Sequence, residues 1–399
     1  MGAASMTAGP QGRAVLSSLS APVSRRAFLA GAAAVAVSGQ ILSRTAYPEL
    51  YAPAFLHLAA CAAAKGHVHT YAIAGDRCEF FGSTSVDSFA AYATHPTLPV
   101  LYVARDCSQW EHLPRGVIET YQVERSAHPL RLVMQTPMAL SATGPRALAV
   151  SSCGRYLLVS ASTGRAWNAF VLDIVGIPAS VAIARKETGT VLESQTISLP
   201  APHAVAFSPS GPYAVGTDPS SERMTLLQPS PDGITILSRC HTPFGVAELF
   251  PVWTRDGRYL VAADARAASL SLYAIRSALR DRDGLDIYVL STVHTETPIK
   301  ALLAHATEAS VFTSRREREG SRLEFWRIRG DQLAVERDTW IPDNVLAFAH
   351  HAGALWLASE DRLIRMRYQD LRAISAMNVA QSLQGMRAIV TQSYESNLI

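Results

Sequence analysis

The chain has 399 residues, of which 48% are hydrophobic and 17% are charged, and its formal net charge is +3. This balance indicates extensive buried structure and excludes a largely disordered chain. The small charge, and the lack of any cluster of basic residues interleaved with aromatic ones, argue against nucleic acid as a partner. The length is sufficient for two ordinary domains or for one large all-β domain.

The first 44 residues do not share the pattern of the rest of the chain. A pair of arginines lies within Ser-Arg-Arg-Ala-Phe-Leu at 24–29, and a mildly apolar stretch follows at 30–37. This arrangement is typical of a twin-arginine export signal, and the apolar stretch is too short to cross a bilayer. We therefore predict an export signal and linker over 1–44 and a periplasmic or secreted domain over 45–399. No integral membrane segment is expected after the signal is removed.

A strand-turn-strand unit organises the rest of the chain, and its clearest copy spans residues 144–160. Leu148 and Val150 alternate with small residues, as in a strand that has two different faces. The turn ends at Gly154, which can adopt a positive φ angle. The apolar run at 156–159 then predicts a second strand that is covered on both faces.

The same unit recurs along the chain, with turns near residues 53, 98, 154, 211, 257, 308 and 353. The spacing of roughly 45 to 57 residues is in the range of propeller blades and solenoids. A third, amphipathic strand follows each pair, as at 116–123, and then a more polar fourth strand, as at 191–198. We predict an all-β fold, a seven-bladed β-propeller with four antiparallel strands per blade. A helical solenoid fits poorly, because the repeats are rich in β-branched and aromatic residues and are broken by Gly and Pro.

The C-terminal segment has the pattern of a first strand. Residues 385–392 are similar to residues 144–151, whereas the first repeat lacks an inner strand before Phe55. We predict that the C-terminal strand supplies the inner strand of the first blade and closes the ring. Closure of this kind removes the exposed sheet edges that favour aggregation.

Local motifs indicate neither a cofactor nor a metal. His67 and His69 lie on one face if their stretch is a strand, but no third ligand is nearby in the sequence. Two histidines on a solvated strand face are therefore preferred over a metal site. The sequence has no P-loop, nucleophile elbow, dinucleotide fingerprint or haem motif, so no cofactor is predicted.

In a propeller, the expected site is the mouth of the central channel, where inner strands and the ends of second strands converge. Arg residues at that place would bind carboxylate or phosphate groups, and a His could act as a general base. The simpler alternative is that such residues cap strand ends and pair with one another. The candidates are Asp106, Arg146, His203, Asp218, Asp264, Arg315, Arg316 and Arg387.

Two of the repeats, at 144–160 and 202–211, resemble the seven-bladed lactonase family. This family includes the propeller-type 6-phosphogluconolactonases and the fungal carboxymuconate lactonizing enzymes. The resemblance covers roughly residues 50 to 395 and is best between 89 and 275. It implies a propeller fold and a central site for an anionic lactone.

Residue by residue, the resemblance implies three catalytic positions. The family's His falls on His203, its last Arg on Arg316, and an acidic position on Asp106. A further Arg and a Glu of the family pattern fall on Leu249 and Ala265, so this sequence lacks one cation and one carboxylate there. The fold inference is unaffected by these departures, but the catalytic inference is weakened.

Two functions remain open at this point. The first is an exported lactonase-like hydrolase for a sugar-type or other small anionic lactone, with Arg146, Asp218, Asp264 and Arg315 binding the substrate in the channel. The second is a catalytically degenerate propeller that serves as a periplasmic binding or scaffold module. A monomer is expected in either case, and whether the protein is an enzyme is left open.

Overall fold

The computed structural model describes residues of one compact unit, Ala52–Ile399. The residues it describes are 54–62, 65–74, 77–87, 89–124, 126, 128–138, 143–161, 166–172, 178–180, 204–218, 222–230, 233–243, 249–264, 266–277, 285–351, 353–359, 361–379 and 386–392. The predicted export signal at 1–44 and the predicted fourth strand at 191–198 lie outside this part of the chain and remain predictions.

Regular structure in the described residues is entirely β. In chain order the strands are β1 Ala54–Ala62, β2 Lys65–Ala74, β3 Arg77–Asp87, β4 Phe89–Thr94, β5 Val100–Trp110, β6 Leu113–Val123, β7 Leu130–Pro137, β8 Pro145–Val150, β9 Tyr156–Ala161, β10 Ala166–Leu172, β11 Pro178–Ser180, β12 Val205–Phe207, β13 Ala214–Asp218, β14 Arg223–Ser230, β15 Gly233–His241, β16 Leu249–Trp253, β17 Tyr259–Asp264, β18 Ser269–Ser277, β19 Leu285–His294, β20 Ile299–Ala304, β21 Ser310–Glu317, β22 Gly320–Arg329, β23 Gln332–Ile341, β24 Ala347–His351, β25 Ala354–Ala358, β26 Arg362–Arg367, β27 Ala373–Asn378 and β28 Met386–Gln392.

Within the described residues these strands form seven four-stranded sheets. Six sheets use four consecutive strands, beginning at β4, β8, β12, β16, β20 and β24, and the remaining sheet has the order β28-β1-β2-β3. The first strand of each sheet contacts the first strand of the next, and β28 contacts both β24 and β4. This arrangement confirms the predicted all-β propeller and excludes the helical solenoid.

The C-terminal strand β28 is the inner strand of the sheet that contains β1. It pairs antiparallel with β1, from Phe55 opposite Gln392 to Ala60 opposite Met386, with a bulge near Ala59. The segment that resembles a first strand in sequence therefore forms one in the structure, more than three hundred residues away from its partner.

The hydrophobic core lies between neighbouring sheets, because each sheet is covered on both faces. Val311 packs with Val261 and Leu270 of the preceding sheet. The next residue, Phe312, packs with Phe348 of the following sheet. Since strand side chains alternate between faces, consecutive residues of a second strand serve two different interfaces. This explains the continuous apolar runs that the sequence shows at the second strands.

The turn between β8 and β9 requires a glycine. Gly154 has φ 69°, as predicted from its place at the end of the turn. A Cβ atom added there would come within 2.5 Å of Cε1 of His95, which lies in the equivalent turn of the preceding sheet. Both the left-handed backbone and the close approach of the imidazole therefore require glycine.

Removal of β28 should strongly destabilise the propeller. A chain that ends at residue 385 leaves β1 without its inner partner. We expect its free energy of unfolding to fall by more than about 5 kcal/mol, since ladder hydrogen bonds contribute about 1 kcal/mol each and an inner interface is also lost. Denaturant unfolding measures this, with a chain that ends at Gln392 as the control. Equal stability of the two chains would contradict the structural role of β28.

His95 should make stability fall in mild acid. Its Nδ1 accepts the backbone N–H groups of Thr97 and Leu98 at 3.2 and 3.0 Å, and its Nε2 donates to the carbonyl of Gly154 at 3.1 Å. Only the neutral ring makes all three bonds, and burial lowers the pKa of His95 below its ordinary 6.5, although the bond to Gly154 works the other way. Below that pH the unfolded chain therefore takes up a proton that the folded chain resists.

The measurement is the free energy of unfolding between pH 7 and 5 for the wild type, His95→Gln and the exposed control His128→Gln. One such group contributes at most about 1.4 kcal/mol per pH unit. We expect His95→Gln to have a shallower pH dependence than the wild type, and His128→Gln to retain the wild-type dependence. An unchanged slope in His95→Gln would show that this ring does not set the acid sensitivity.

Candidate functional site

The predicted charged residues that belong to described strands lie at one end of the sheets. Antiparallel pairing places the start of each inner strand opposite the end of its second strand, as with Leu249 and Asp264 or Ile299 and Arg315. We call this end, which carries the last residues of the second strands, the upper rim. The opposite end, which carries the turns between first and second strands such as 305–310, is the lower rim.

Asp106 links two neighbouring sheets at the upper rim. It lies near the end of β5, its side chain is exposed, and its Oδ1 accepts the backbone N–H of Gly144 at 2.6 Å. Gly144 immediately precedes the inner strand β8 and has φ 64°. Arg146 follows two residues later and is also exposed. A carboxylate and a guanidinium are thus both open to solvent where the two sheets meet.

Arg315 and Arg316 are adjacent in sequence but have opposite environments. Arg315 is 5% exposed, and its Nε and Nη2 donate to Oε1 of Glu324 at 3.0 and 2.8 Å. Burial works to lower the pKa of Arg315, but the bonds to Glu324 raise it overall. Arg316 faces the other way, opposite Ser321, and is exposed. Of the two, Arg316 is the guanidinium that a ligand in solvent can reach.

A similar ion pair, with a buried Glu and a partly buried Arg, occurs in a second sheet and was not predicted from the sequence. Arg105 Nε lies 2.7 Å from Oε1 of Glu119, and Tyr121 Oη donates to the other oxygen at 2.8 Å. Arg105 and Arg315 occupy equivalent places in β5 and β21, because each pairs with the first residue of its inner strand. In each pair the Glu lies on the third strand, opposite the residue two positions before the Arg. That register, rather than a fixed spacing in sequence, is the signal that identifies the pair.

Asp264 is turned into the protein. It is 2% exposed, and its Oδ1 accepts the backbone N–H groups of Arg266 and Ala267, both at 2.8 Å. These bonds shape the turn into β18, where Ala268 has φ 47°. Oδ2 is buried without a hydrogen-bond partner. The carboxylate thus has a structural function at this turn, and its predicted contact with substrate remains a prediction.

Several predicted positions lie outside the described residues. These include His203 and Ala265, and also the side chains of Asp218, Arg387 and Leu249, whose strands are described. The structure therefore brings Asp106 together with the segment that carries Arg146. It leaves the predicted roles of His203, Asp218 and Arg387 as predictions.

The two histidines of β2 lie on one face, as their spacing predicts, but the prediction of a solvated face was wrong, because His69 is buried. The rings of His67 and His69 are stacked, with centroids 6.1 Å apart. Burial, and then the neighbouring His67, lower the pKa of His69. Among the residues that the structure describes, no three His, Cys, Asp or Glu side chains are grouped as a metal site would require.

No helix in the described residues has the length and apolar character that crossing a bilayer requires. The sheet order and the contacts between inner strands place the chain among the β-propellers. No protein-family model matches the chain, and no curated protein matches it significantly.

Among solved structures, similar propellers carry lactonase names. A candidate 6-phosphogluconolactonase of Bacteroides fragilis has a TM-score of 0.64 at 10% identity, over 85% of this chain and 98% of its own. A second, of Bacteroides uniformis, has a TM-score of 0.64 at 14% identity, over 86% and 100%. The periplasmic gluconolactonase of Pseudomonas aeruginosa has a TM-score of 0.64 at 14% identity, over 86% and 99%. At these identities the likeness shows the fold alone.

Substitutions at the two adjacent arginines should differ sharply in effect. Arg315→Ala leaves the carboxylate of Glu324 buried without its cation, which costs about 3 to 5 kcal/mol. Arg316→Ala removes an exposed side chain and should change stability by less than about 0.5 kcal/mol. Denaturant unfolding of the two variants measures the difference. Comparable losses in both would mean that the Arg315–Glu324 pair is not an important support of its sheet.

Proposed function

We propose that the chain is an exported lactonase-like propeller that hydrolyses a sugar-type or other small anionic lactone. One observation carries the proposal: propellers named as 6-phosphogluconolactonases and as a gluconolactonase match this chain over 98 to 100% of their own length. In this proposal the seven sheets form one ring closed by β28, residues 1–44 direct export, and the mature protein acts as a monomer in the periplasm or outside the cell.

Substrate binding is assigned to the exposed charges of the upper rim. Arg146 and Arg316 are both exposed, and a guanidinium can donate two parallel hydrogen bonds to a carboxylate or a phosphate. Cations at this place also stabilise the oxyanion that forms when a lactone carbonyl is attacked. These two residues are therefore proposed to set the preference for an anionic lactone.

Asp106 is proposed to contact the sugar part of the substrate. Its Oδ1 is occupied by the N–H of Gly144, which fixes the orientation of the carboxylate. Its exposed second oxygen can accept a hydrogen bond from a substrate hydroxyl. The same bond holds the segment that leads to Arg146, so Asp106 also positions a residue of the binding site.

His203 is proposed as the general base. It would take a proton from water as the water oxygen attacks the lactone carbonyl carbon, and return it to the ring oxygen as the carbonyl carbon–oxygen bond of the ring breaks. The product is the open-chain hydroxy acid, and no redox step or co-reactant is needed. His203 enters the proposal through the family resemblance, since it lies outside the described residues.

A second candidate function is a non-catalytic binding module. Leu249 and Ala265 stand where the resembled family has an Arg and a Glu, and Asp264 and Arg315 bond within the protein. Fewer charged groups would then be available to perform chemistry than the family pattern provides. The exposed charges of the upper rim would still bind a small anionic ligand in this case.

An assay of lactone hydrolysis, measured by proton release, distinguishes the two candidate functions. The substrates are gluconolactone, its 6-phosphate and a muconolactone. If the chain is a lactonase, His203→Ala should lower kcat by about 10²- to 10⁴-fold, as expected for loss of a general base. Arg316→Ala and Arg146→Ala should each raise KM by about tenfold, which corresponds to about 1.4 kcal/mol of binding free energy. Arg329→Ala, an exposed arginine at the lower rim, is the matched control and should retain full activity.

Two results would contradict these expectations. A folded protein that hydrolyses none of the three lactones above the spontaneous rate would contradict the lactonase proposal and favour the binding module. Turnover that survives His203→Ala unchanged would place the general base at another residue.

A further inference from the structure

A groove with a volume of about 650 Å³ lies between the β20–β23 sheet and the β24–β27 sheet. It is at the lower rim, because His305 follows β20 and Tyr368 follows β26. It is therefore separate from the charged residues of the upper rim. Its volume is within the range of small-molecule sites. The side chains that matter here are His305, Glu308, Glu336, Arg337, Arg367 and Tyr368.

Arg337 is a cation that has no carboxylate partner among the described residues. Its Nη1 donates to the backbone carbonyls of Tyr368, at 3.1 Å, and Gln369, across the boundary between the two sheets. Its guanidinium carbon lies 4.4 Å from the ring centroid of Phe325. Nε is buried without a partner, and no ion pair of Arg337 occurs in the described part of the chain. A half-buried positive charge held in this way is stabilised by an anion in the groove.

At Glu308 and Glu336, the negative charge of the groove exceeds the positive charge that is paired with it. Glu308 and Glu336 share a single cation, Arg327, at 2.7 and 2.9 Å. Arg367 lies 3.2 Å from Asp370, a carboxylate that Arg372 also approaches at 3.9 Å, so its charge is compensated only in part. The groove thus presents one uncompensated positive charge at Arg337 and one uncompensated negative charge at the two glutamates.

His305 adds a neutral donor to the same groove. Its Nδ1 accepts the backbone N–H groups of Thr307 and Glu308 at 3.3 and 3.1 Å, which leaves the ring proton on Nε2. Its ring lies 4.7 Å from that of Tyr368, between centroids. Burial lowers the pKa of His305, Glu308 raises it, and Arg337 and Arg327 lower it, so the neutral form is favoured.

We propose that this groove binds a small zwitterion of the α-amino-acid type. The carboxylate of the ligand pairs with Arg337, and its ammonium group lies toward Glu308 and Glu336. A simple anion would pair with Arg337 but would be repelled by the two glutamates. A simple cation would pair with the glutamates but would be repelled by Arg337. A ligand that carries both charges matches the whole groove.

Calorimetric titration of the full chain tests this with three matched probes: L-alanine, N-acetyl-L-alanine, which lacks the ammonium group, and L-alanine amide, which lacks the carboxylate. We expect L-alanine to bind at least tenfold more tightly than either derivative. Arg337→Gln and Glu336→Gln should each weaken L-alanine binding by at least tenfold. Arg329→Gln, an exposed arginine of the same sheet outside the groove, should change it by less than twofold.

Arg337→Gln could weaken ligand binding by disturbing the contact between the two sheets. Glu336→Gln does not have this effect, because Glu336 pairs with Arg327 of its own sheet, so this variant tests the site independently. Equal affinity for L-alanine and N-acetyl-L-alanine would overturn the zwitterion and leave an anion site. A dissociation constant for L-alanine above about 10 mM would overturn the site altogether. Lactone hydrolysis should be unchanged in all three variants, so the fate of the lactonase proposal does not affect this test.

Discussion

The constraint on which this structure depends is that both faces of each sheet must be covered by neighbouring sheets. Because side chains alternate along a strand, consecutive residues of a second strand belong to different interfaces, as Val311 and Phe312 do. The first strand of each sheet contacts the first strand of the next, and β28 contacts both β24 and β4. Loss of one sheet would expose the apolar faces of its two neighbours to water.

The same alternation decides which charged residues of the upper rim reach solvent. Arg315 lies on the face that meets Glu324, whereas Arg316 lies on the face that opens outward. Asp264 occupies the place equivalent to Arg315 and is buried in the same way, with its own turn as hydrogen-bond partner. Asp106, one position beyond the partly buried Arg105, is exposed. A one-residue step along a strand therefore separates residues that support the fold from residues that are available to a ligand.

The alternation of side chains along a strand also explains which features could be predicted from the sequence. The period of the repeat and its Gly turns indicated the propeller, since Val-, Tyr- and Leu-rich second strands and a turn at Gly154 are local features. The expectation that the ends of the second strands form the site stays a prediction. The burial of Arg315 was not predictable in this way, because it depends on Glu324, which only the register of β22 brings within hydrogen-bond distance of Arg315. The groove at Arg337 was missed for the same reason: its walls come from two sheets whose contact the sequence does not specify.

The pairing of β28 with β1 has a consequence for how the chain acquires its structure. The two strands are more than three hundred residues apart, so their contact has one of the largest sequence separations in the molecule. Contacts of this kind slow folding, since a long loop must be closed before any interaction compensates the lost entropy. During synthesis, β1 is made more than three hundred residues before β28. One edge of β1 therefore stays unpaired while the chain between the two strands is made, and the sheet is complete only when β28 reaches it.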